Sequence, residues 1–374
     1  MMSEIFPGKL GFQQRVLPEY RAKFFEALAG QTPRGLSLFA GEPLPQEGIE
    51  GVKRLQTANL VRAKNRNFLN PASPWFMCWQ SGFISWLEEW RPDVLIVEAN
   101  PRYPTTRKAI AWMHNRGRKV IGWGLGAPAI KGPLSGLRTR ERLSLLHSLD
   151  AVIAYSQRGA EQYRQAGIPA ERVYVASNAV APAPADAPPE RPVQFDGKPS
   201  VLFVGRLQAR KRVDLLIQAC SALPGSMQPR LTIVGDGPAL DELRQAAHAA
   251  YPITEFTGAK LGAELEPYFL QADLFVLPGT GGLAIQQAMA HALPVIVAQG
   301  DGTQDDLVRR ENGWQVPPDD LPALVNSLHQ ALSDPARLRR MGKASYRIVA
   351  QEINIEKMVE VFIRVVNNVY GGAS

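Results

Sequence analysis

The sequence predicts an α/β chain built as two Rossmann-like domains, each a parallel sheet covered by helices. Three observations carry this. Short, nearly continuous apolar runs alternate with helical patterns along the whole chain, and strands covered on both faces lose the polar alternation of an open sheet. The 374 residues correspond to two domains at about 100–200 residues each. Between the two sets of runs, residues 179–199 are rich in Pro and Ala and carry no apolar period, which reads as a linker.

In the first half the clearest strands are 92–100 (PDVLIVEAN), 118–124 (RKVIGWG) and 151–156 (AVIAYS), preceded by a first strand in QQRVL. In the second half they are 200–205, 230–237, 273–279 and 294–298. The domains therefore run over 1–178 and 200–354. The last segment, 355–374, has apolar residues at helical spacing and closes near Gly371 and Gly372, a helix followed by its stop signal. Trp75, Trp79, Trp86 and Trp90 are spaced near whole helical turns and predict one packing face.

Hydrophobic residues at 45% and charged residues at 21% place the chain among globular proteins. No apolar run is long enough to span a bilayer, and the opening residues lack the pattern of a signal peptide, so a cytoplasmic location is expected. The two cysteines, Cys78 and Cys220, are far apart and give neither a disulfide framework nor a zinc site. A net charge of +7 and a pI near 9.4 favour anionic partners such as nucleotide sugars or acidic lipid headgroups. No basic, aromatic-studded face indicates nucleic acid, and no GxGxxG follows the first strand, which argues against a nicotinamide-dependent oxidoreductase. Residues 131–150 are basic and amphipathic, suited either to peripheral contact with an acidic membrane or to a solvated helix face.

Three segments of the second half carry the chemistry. In VLFVGRLQARKRVDLLIQA a buried strand meets a loop with Gly205, Arg206, Arg210, Lys211 and Arg212, then a helix from about Val213. Cations at the carboxyl end of a parallel strand, beside a helix N-terminus, form an anion site suited to a diphosphate; on charge alone the same residues read as a solvated basic loop. The GDGP turn, with Gly235, Asp236 and Gly237, is either a ligand loop or a tight strand-to-helix turn. In DLFVLPGTGGLAIQQAMA, Gly279, Thr280, Gly281 and Gly282 let backbone N–H groups approach a phosphate. Gln287, about two turns further, serves either a ribose or sugar hydroxyl or an exposed helix face.

The order of these pieces resembles the retaining glycosyltransferases called glycosyl transferases group 1, closely over about residues 150–350. The resemblance implies the GT-B fold: two Rossmann-like domains with parallel sheets facing across a cleft, and a C-terminal helix packing back towards the N-terminal domain. It implies that Arg206 and Lys211 bind the donor diphosphate and are catalytic, that Gly258, Ala259 and Lys260 hold the base, and that residues Gly279 to Ala284, including Leu283, hold the β-phosphate and sugar. Two family glutamates, eight residues apart, are replaced here by Gly279 and Gln287. The implied activity is transfer of a sugar from a nucleotide-diphosphate sugar to a glycan, lipid-linked or small-molecule acceptor. Anomeric configuration would be retained, with no metal and no cofactor. A degenerate member that binds nucleotide sugar or a partner without turnover is the alternative.

The first half is expected to hold the acceptor. Glu19, Tyr20 and Arg21 open the helix after the first strand, either facing the cleft or as a plain capped helix start. Asn100, Arg102, Trp123, Gly124 and Gly126 follow later strands and should face the same cleft. Leu125 occupies the slot where many relatives carry a histidine. His114, His147, His248 and His329 fall in predicted helices without a partner pattern.

Overall fold

The computed structural model describes residues 4–47, 49–70, 73, 75–300 and 302–372. The chain divides into two units, Met1–Pro182 with Ile355–Ser374, and Ala183–Asn354.

The first unit is built on a seven-stranded sheet. Its strands are β1 (Leu10–Val16), β2 (Leu36–Gly41), β3 (Asn59–Arg62), β6 (Val94–Glu98), β7 (Lys119–Gly124), β8 (Ala151–Ala154) and β9 (Val173–Val175), while β4 (Lys64–Phe68) and β5 (Met77–Ser81) form a separate hairpin. The order is β3-β2-β1-β6-β7-β8-β9, with parallel pairing throughout. The order reverses between β1 and β6, so the loops after these strands diverge and open a crevice at their carboxyl ends. Alternate residues of each strand feed opposite faces. Val120 joins a cluster with Phe39, Phe83, Trp86 and Met113. Trp123 instead meets Phe12 and Phe362 edge-on and Phe24 at a tilt, with centroids 5.4–5.8 Å away.

Phe362 belongs to the helix Ile355–Gly371, whose buried side chains recur at helical spacing from Ile355 to Val366. This helix lies against the helix Ala22–Gly30 and the ends of β7–β9. The C-terminal segment therefore completes the core of the first unit, as the sequence led us to expect. Full burial of one such apolar side chain contributes about 1.5–3 kcal/mol.

The second unit carries β10 (Ser200–Val204), β11 (Arg230–Val234), β12 (Thr254–Gly258), β13 (Leu274–Leu277), β14 (Val295–Ala298) and β15 (Gly313–Val316). Their order is β12-β11-β10-β13-β14-β15, the doubly wound arrangement, with its reversal between β10 and β13. Every residue of β10, β13 and β14 is buried, which accounts for their unbroken apolar sequence.

Residues from Ala183 of the predicted linker 179–199 group with the second unit. The Arg191 guanidinium donates to the carbonyls of Phe269, Ala272 and His291 at 2.6–3.1 Å, the carboxyl ends of the helices Glu266–Gln271 and Ala284–Ala290. Cations suit those positions because the last carbonyls of a helix lack partners. Burial, with Arg339 nearby, pushes the Arg191 guanidinium down to about 10. The tryptophan series also divides. Trp86 and Trp90 share the helix Phe83–Trp90, but Trp79 lies in β5 beneath the Lys108 ammonium, and Trp75 precedes that strand, half exposed.

Replacing Arg191 with Met should destabilise the chain by about 2–4 kcal/mol, read as a lower urea midpoint at unchanged slope, because three carbonyls lose a charged donor.

Candidate functional site

In the second unit the loops after β10, β11 and β13 lie backbone against backbone. Gly205 N–H donates to Val234 O at 3.0 Å, Leu207 N–H to Asp236 O at 2.9 Å, and Thr280 N–H to Arg210 O at 3.0 Å. Side chains would obstruct this. A Cβ added at Gly235 would stand 2.0 Å from Gly205 O, one at Gly237 2.3 Å from Leu207 O, and one at Gly279 2.3 Å from Arg210 O. The glycines of the GDGP turn therefore serve close approach of neighbouring loops. Asp236 accepts from the N–H of Gly237 at 2.6 Å, an internal turn bond.

Lys211 is the buried cation of this cluster, 8% exposed. Its Nζ donates to Thr280 O at 2.8 Å, and a Cβ at Gly281 would lie 3.3 Å from Nζ and 3.5 Å from the Arg210 guanidinium. Burial, then the charge of Arg210, pushes Lys211 down to about 8. Among the described residues only one of the three ammonium hydrogens is engaged, which leaves two donors for an anion beside Gly281. Arg206 is exposed and makes no hydrogen bond or ion pair among the described residues. Two candidate cations thus stand at the reversal of the sheet, one fixed and one free to move.

The remaining donor-side candidates are spread around this centre. Gly258 is tied in through the bond from Gly235 N–H to its carbonyl, 2.9 Å, while Ala259 is exposed and Lys260 half-buried without a hydrogen bond or ion pair among the described residues. Gly282 and the exposed Leu283 lead into the helix that begins at Ala284. Gln287 is exposed, and its backbone carbonyl accepts from the His291 ring at 2.8 Å. On this backbone no side chain fits at Gly279, where a Cβ would also stand 2.4 Å from the Lys211 carbonyl carbon.

In the first unit the candidates separate into two groups. Arg21 is buried, its guanidinium 4.7 Å from the Trp123 ring and 5.6 Å from that of Tyr155. It acts as a cation stacked among aromatics. Tyr20 is exposed beside it. Gly124 and Gly126 pack against the helix Gln157–Gln165, where Tyr163 Oη accepts from Gly126 N–H at 3.2 Å. Together with Asn100, Arg102, Trp123 and Leu125, these two glycines line a cavity of about 650 Å³ at the carboxyl ends of β6, β7 and β8.

That cavity holds residues the sequence reading missed. Glu98 ends β6 in its wall and accepts from Arg15 N–H at 2.8 Å. Burial raises its carboxyl pKa, opposed by the Arg15 N–H bond and charge. Arg138, Glu141 and Arg142 come from the helix Ser135–His147, and Phe76 and Met77 from the hairpin. The available signal was positional: Glu98 is a carboxylate at the end of a buried parallel strand.

Comparisons with known proteins follow this geometry. The family model described as "Glycosyl transferases group 1" matches residues 198–334. A second model, "Glycosyltransferase Family 4", matches residues 36–183. The chain is similar to the GDP-mannose-dependent alpha-mannosyltransferase of Mycobacterium tuberculosis (strain CDC 1551 / Oshkosh), with 36% identity over 169 residues, 42% of each chain. The matched part thus spans about two fifths of that relative. Among solved structures it resembles sucrose-phosphate synthase from Thermosynechococcus elongatus, with TM-score 0.71 and 17% identity over 97% of this chain and 99% of that one. It also resembles Anabaena HepE in complex with UDP, with TM-score 0.68 and 17% identity over 96% and 99%. Likeness at this identity shows the fold, two Rossmann-like units of the GT-B kind.

Two predictions follow from this site. Gly279→Glu, which restores the family's residue type, should destabilise the chain by about 1–3 kcal/mol through overpacking, read as a lowered melting temperature. Nucleoside diphosphate affinity should fall as pH rises through about 8, because Lys211 then loses its charge. Stability should move the opposite way between about 8 and 10.5, where the unfolded lysine holds a proton that the folded one has released. Calorimetric binding and urea unfolding over that window check both signs.

Proposed function

We propose that this chain is a glycosyltransferase that binds a nucleotide-diphosphate sugar on its second unit and transfers the sugar to an acceptor hydroxyl held by its first. The observation that carries the reading is Lys211, buried, fixed to Thr280 O and placed beside Gly281 at the reversal of the sheet. A buried ammonium with two unused donors suits an oxyanion that gains charge during the reaction.

In this reading the bond from the anomeric carbon to the diphosphate oxygen breaks while the acceptor oxygen bonds to the same carbon from the same face. The acceptor proton passes to the departing phosphate oxygen. Configuration is retained, no side chain carries the sugar, and Arg206 and Lys211 neutralise the leaving diphosphate in place of a metal ion. The exposure of Arg206 supports its role as the mobile partner that reaches the phosphate only when donor is bound. No cofactor takes part.

A GDP-sugar or UDP-sugar is the donor to try first, because the mannosyltransferase named above is GDP-mannose-dependent and HepE was solved with UDP. We place the protein in the cytoplasm, with peripheral contact to an acidic membrane face through the basic helix Ser135–His147. Among the described residues no helix is long and apolar enough to cross a membrane. The alternative of a degenerate, non-catalytic member draws no support from the relative above, which is itself named as a transferase.

Melting temperatures measured against UDP, GDP, ADP and dTDP and their sugar conjugates should rise for one nucleotide family by linkage, with slow hydrolysis of one conjugate. Arg206→Ala and Lys211→Ala should each lower transfer about 100- to 1000-fold with the fold intact. Full activity in both variants would remove the site assignment, and binding without turnover would remove the enzymatic reading.

A further inference from the structure

The cavity in the first unit combines two features that seldom share one surface. Its wall includes Trp75, Met77, Leu125 and Leu137, apolar side chains that are 45–55% exposed. Phe68 and Leu134, 53% and 59% exposed, stand close by in the chain, on the hairpin and at the start of the helix Ser135–His147. A contiguous exposed apolar surface of this kind marks a binding site. The same cavity receives Arg102, Arg138 and Arg142.

None of these three guanidinium groups has an ion pair among the described residues. Arg102 bonds the Asn100 carboxamide at 3.3 Å, Arg138 stands over the Trp75 ring at 5.6 Å, and Arg142 donates to Pro128 O. Two carboxylates line the cavity, and both are engaged elsewhere. Glu141 pairs with Arg107 at 2.9 Å, and Glu98 accepts from the Arg15 N–H. Burial, and then the charges of Arg138 and Arg102, push the Arg142 guanidinium down. Three cations that repel one another beside an apolar wall lack an anion, and guanidinium groups match phosphate oxygens in pairs.

We propose that the acceptor is a phosphate-bearing amphiphile, its phosphate held by Arg102, Arg138 and Arg142 and its apolar part lying against Trp75, Met77, Leu125 and Leu137. This rests on the reading of the first unit as the acceptor-binding half. The cavity volume, about 650 Å³, falls within the range of small-molecule sites. It admits a headgroup with the first part of a chain, and the exposed apolar rim continues the path outward.

The test uses the full chain and monomeric dodecyl phosphate, with dodecyl maltoside and inorganic phosphate as comparisons. Binding is read by calorimetry and by the change in tryptophan fluorescence. Dodecyl phosphate should bind saturably and at least about tenfold tighter than either comparison, weakening with salt. Arg138→Gln should lower its affinity about tenfold, and Leu137→Ser should lower it by removing apolar contact from an exposed position that leaves the core untouched. Equal binding of the neutral detergent, equal binding of inorganic phosphate, or indifference to both substitutions overturns the proposal. Binding only to phosphatidylglycerol vesicles, without competition from monomeric dodecyl phosphate, also overturns it, since the surface then serves a bilayer. The nucleotide melting shift is measured on the same samples. Nucleotide binding without amphiphile binding rejects the acceptor class and leaves the transferase reading standing. Amphiphile binding without nucleotide binding upholds the pocket and rejects the transferase.

Discussion

The loops after β10, β11 and β13 touch through their main chains, and the rest of the second unit is arranged around that contact. Three positions without a Cβ permit it: Gly235 beside Gly205, Gly237 beside Leu207, and Gly279 beside Arg210. Once the loops are this close, Lys211 cannot turn to solvent, and its ammonium reaches the nearest carbonyl, that of Thr280. The burial that perturbs Lys211 is therefore a product of glycine placement after the two neighbouring strands, β11 and β13. The same contact excludes a side chain at position 279, so the absence of a carboxylate there and the burial of the lysine have one cause.

The first unit solves a different problem, the placement of polar groups beneath a short hairpin. Gln13 donates to Gln80, Gln80 donates to Gln14 O and to Asn65 at 3.0 Å, and Asn65 donates to Arg15 O at 2.8 Å. Such a network gives a unique seat to a hairpin that has few buried apolar residues of its own. The hairpin in turn supplies Met77 to the cavity wall, while Arg15 lies against Phe76 and holds Glu98 in place. The geometry of this cavity wall thus depends on buried amides as well as on aromatic rings.

What was legible in the sequence follows from this division. The buried parallel strands were legible because their surroundings demand an unbroken apolar code, as in Leu274–Leu277 and Val295–Ala298. The Gly-rich loops were legible as turns at strand ends, and Lys211 as a cation beside them. β2 was missed because Ser37 interrupts its apolar run. That hydroxyl is buried as the acceptor for Trp86 Nε1 at 2.9 Å and Asn59 Nδ2 at 3.1 Å, partners that no local window contains. β4 and β5 were missed for the same reason, since their polar residues answer one another across the hairpin and across the sheet. Arg21 was legible only as a helix-start residue, either facing the cleft or plainly capping the helix. Its actual place over Trp123 depends on Tyr155, more than a hundred residues away. Periodicity reports which face is covered, and it is silent on which distant residue does the covering.

The helix Ile355–Gly371 has a consequence for how the protein comes into being. Phe362 packs against Phe12, Phe24 and Trp123, residues that precede the second unit in the chain, so the whole second unit is translated in between. At about 5–20 residues per second that interval lasts roughly 10–30 s. Throughout it the first sheet has one apolar face only partly covered, by the helix Ala22–Gly30, and the second unit is free to fold to completion ahead of it. Order of synthesis and order of completion are inverted: the half that is made first closes last, and a nascent chain arrested before residue 355 would expose the aromatic surface that holding chaperones recognise.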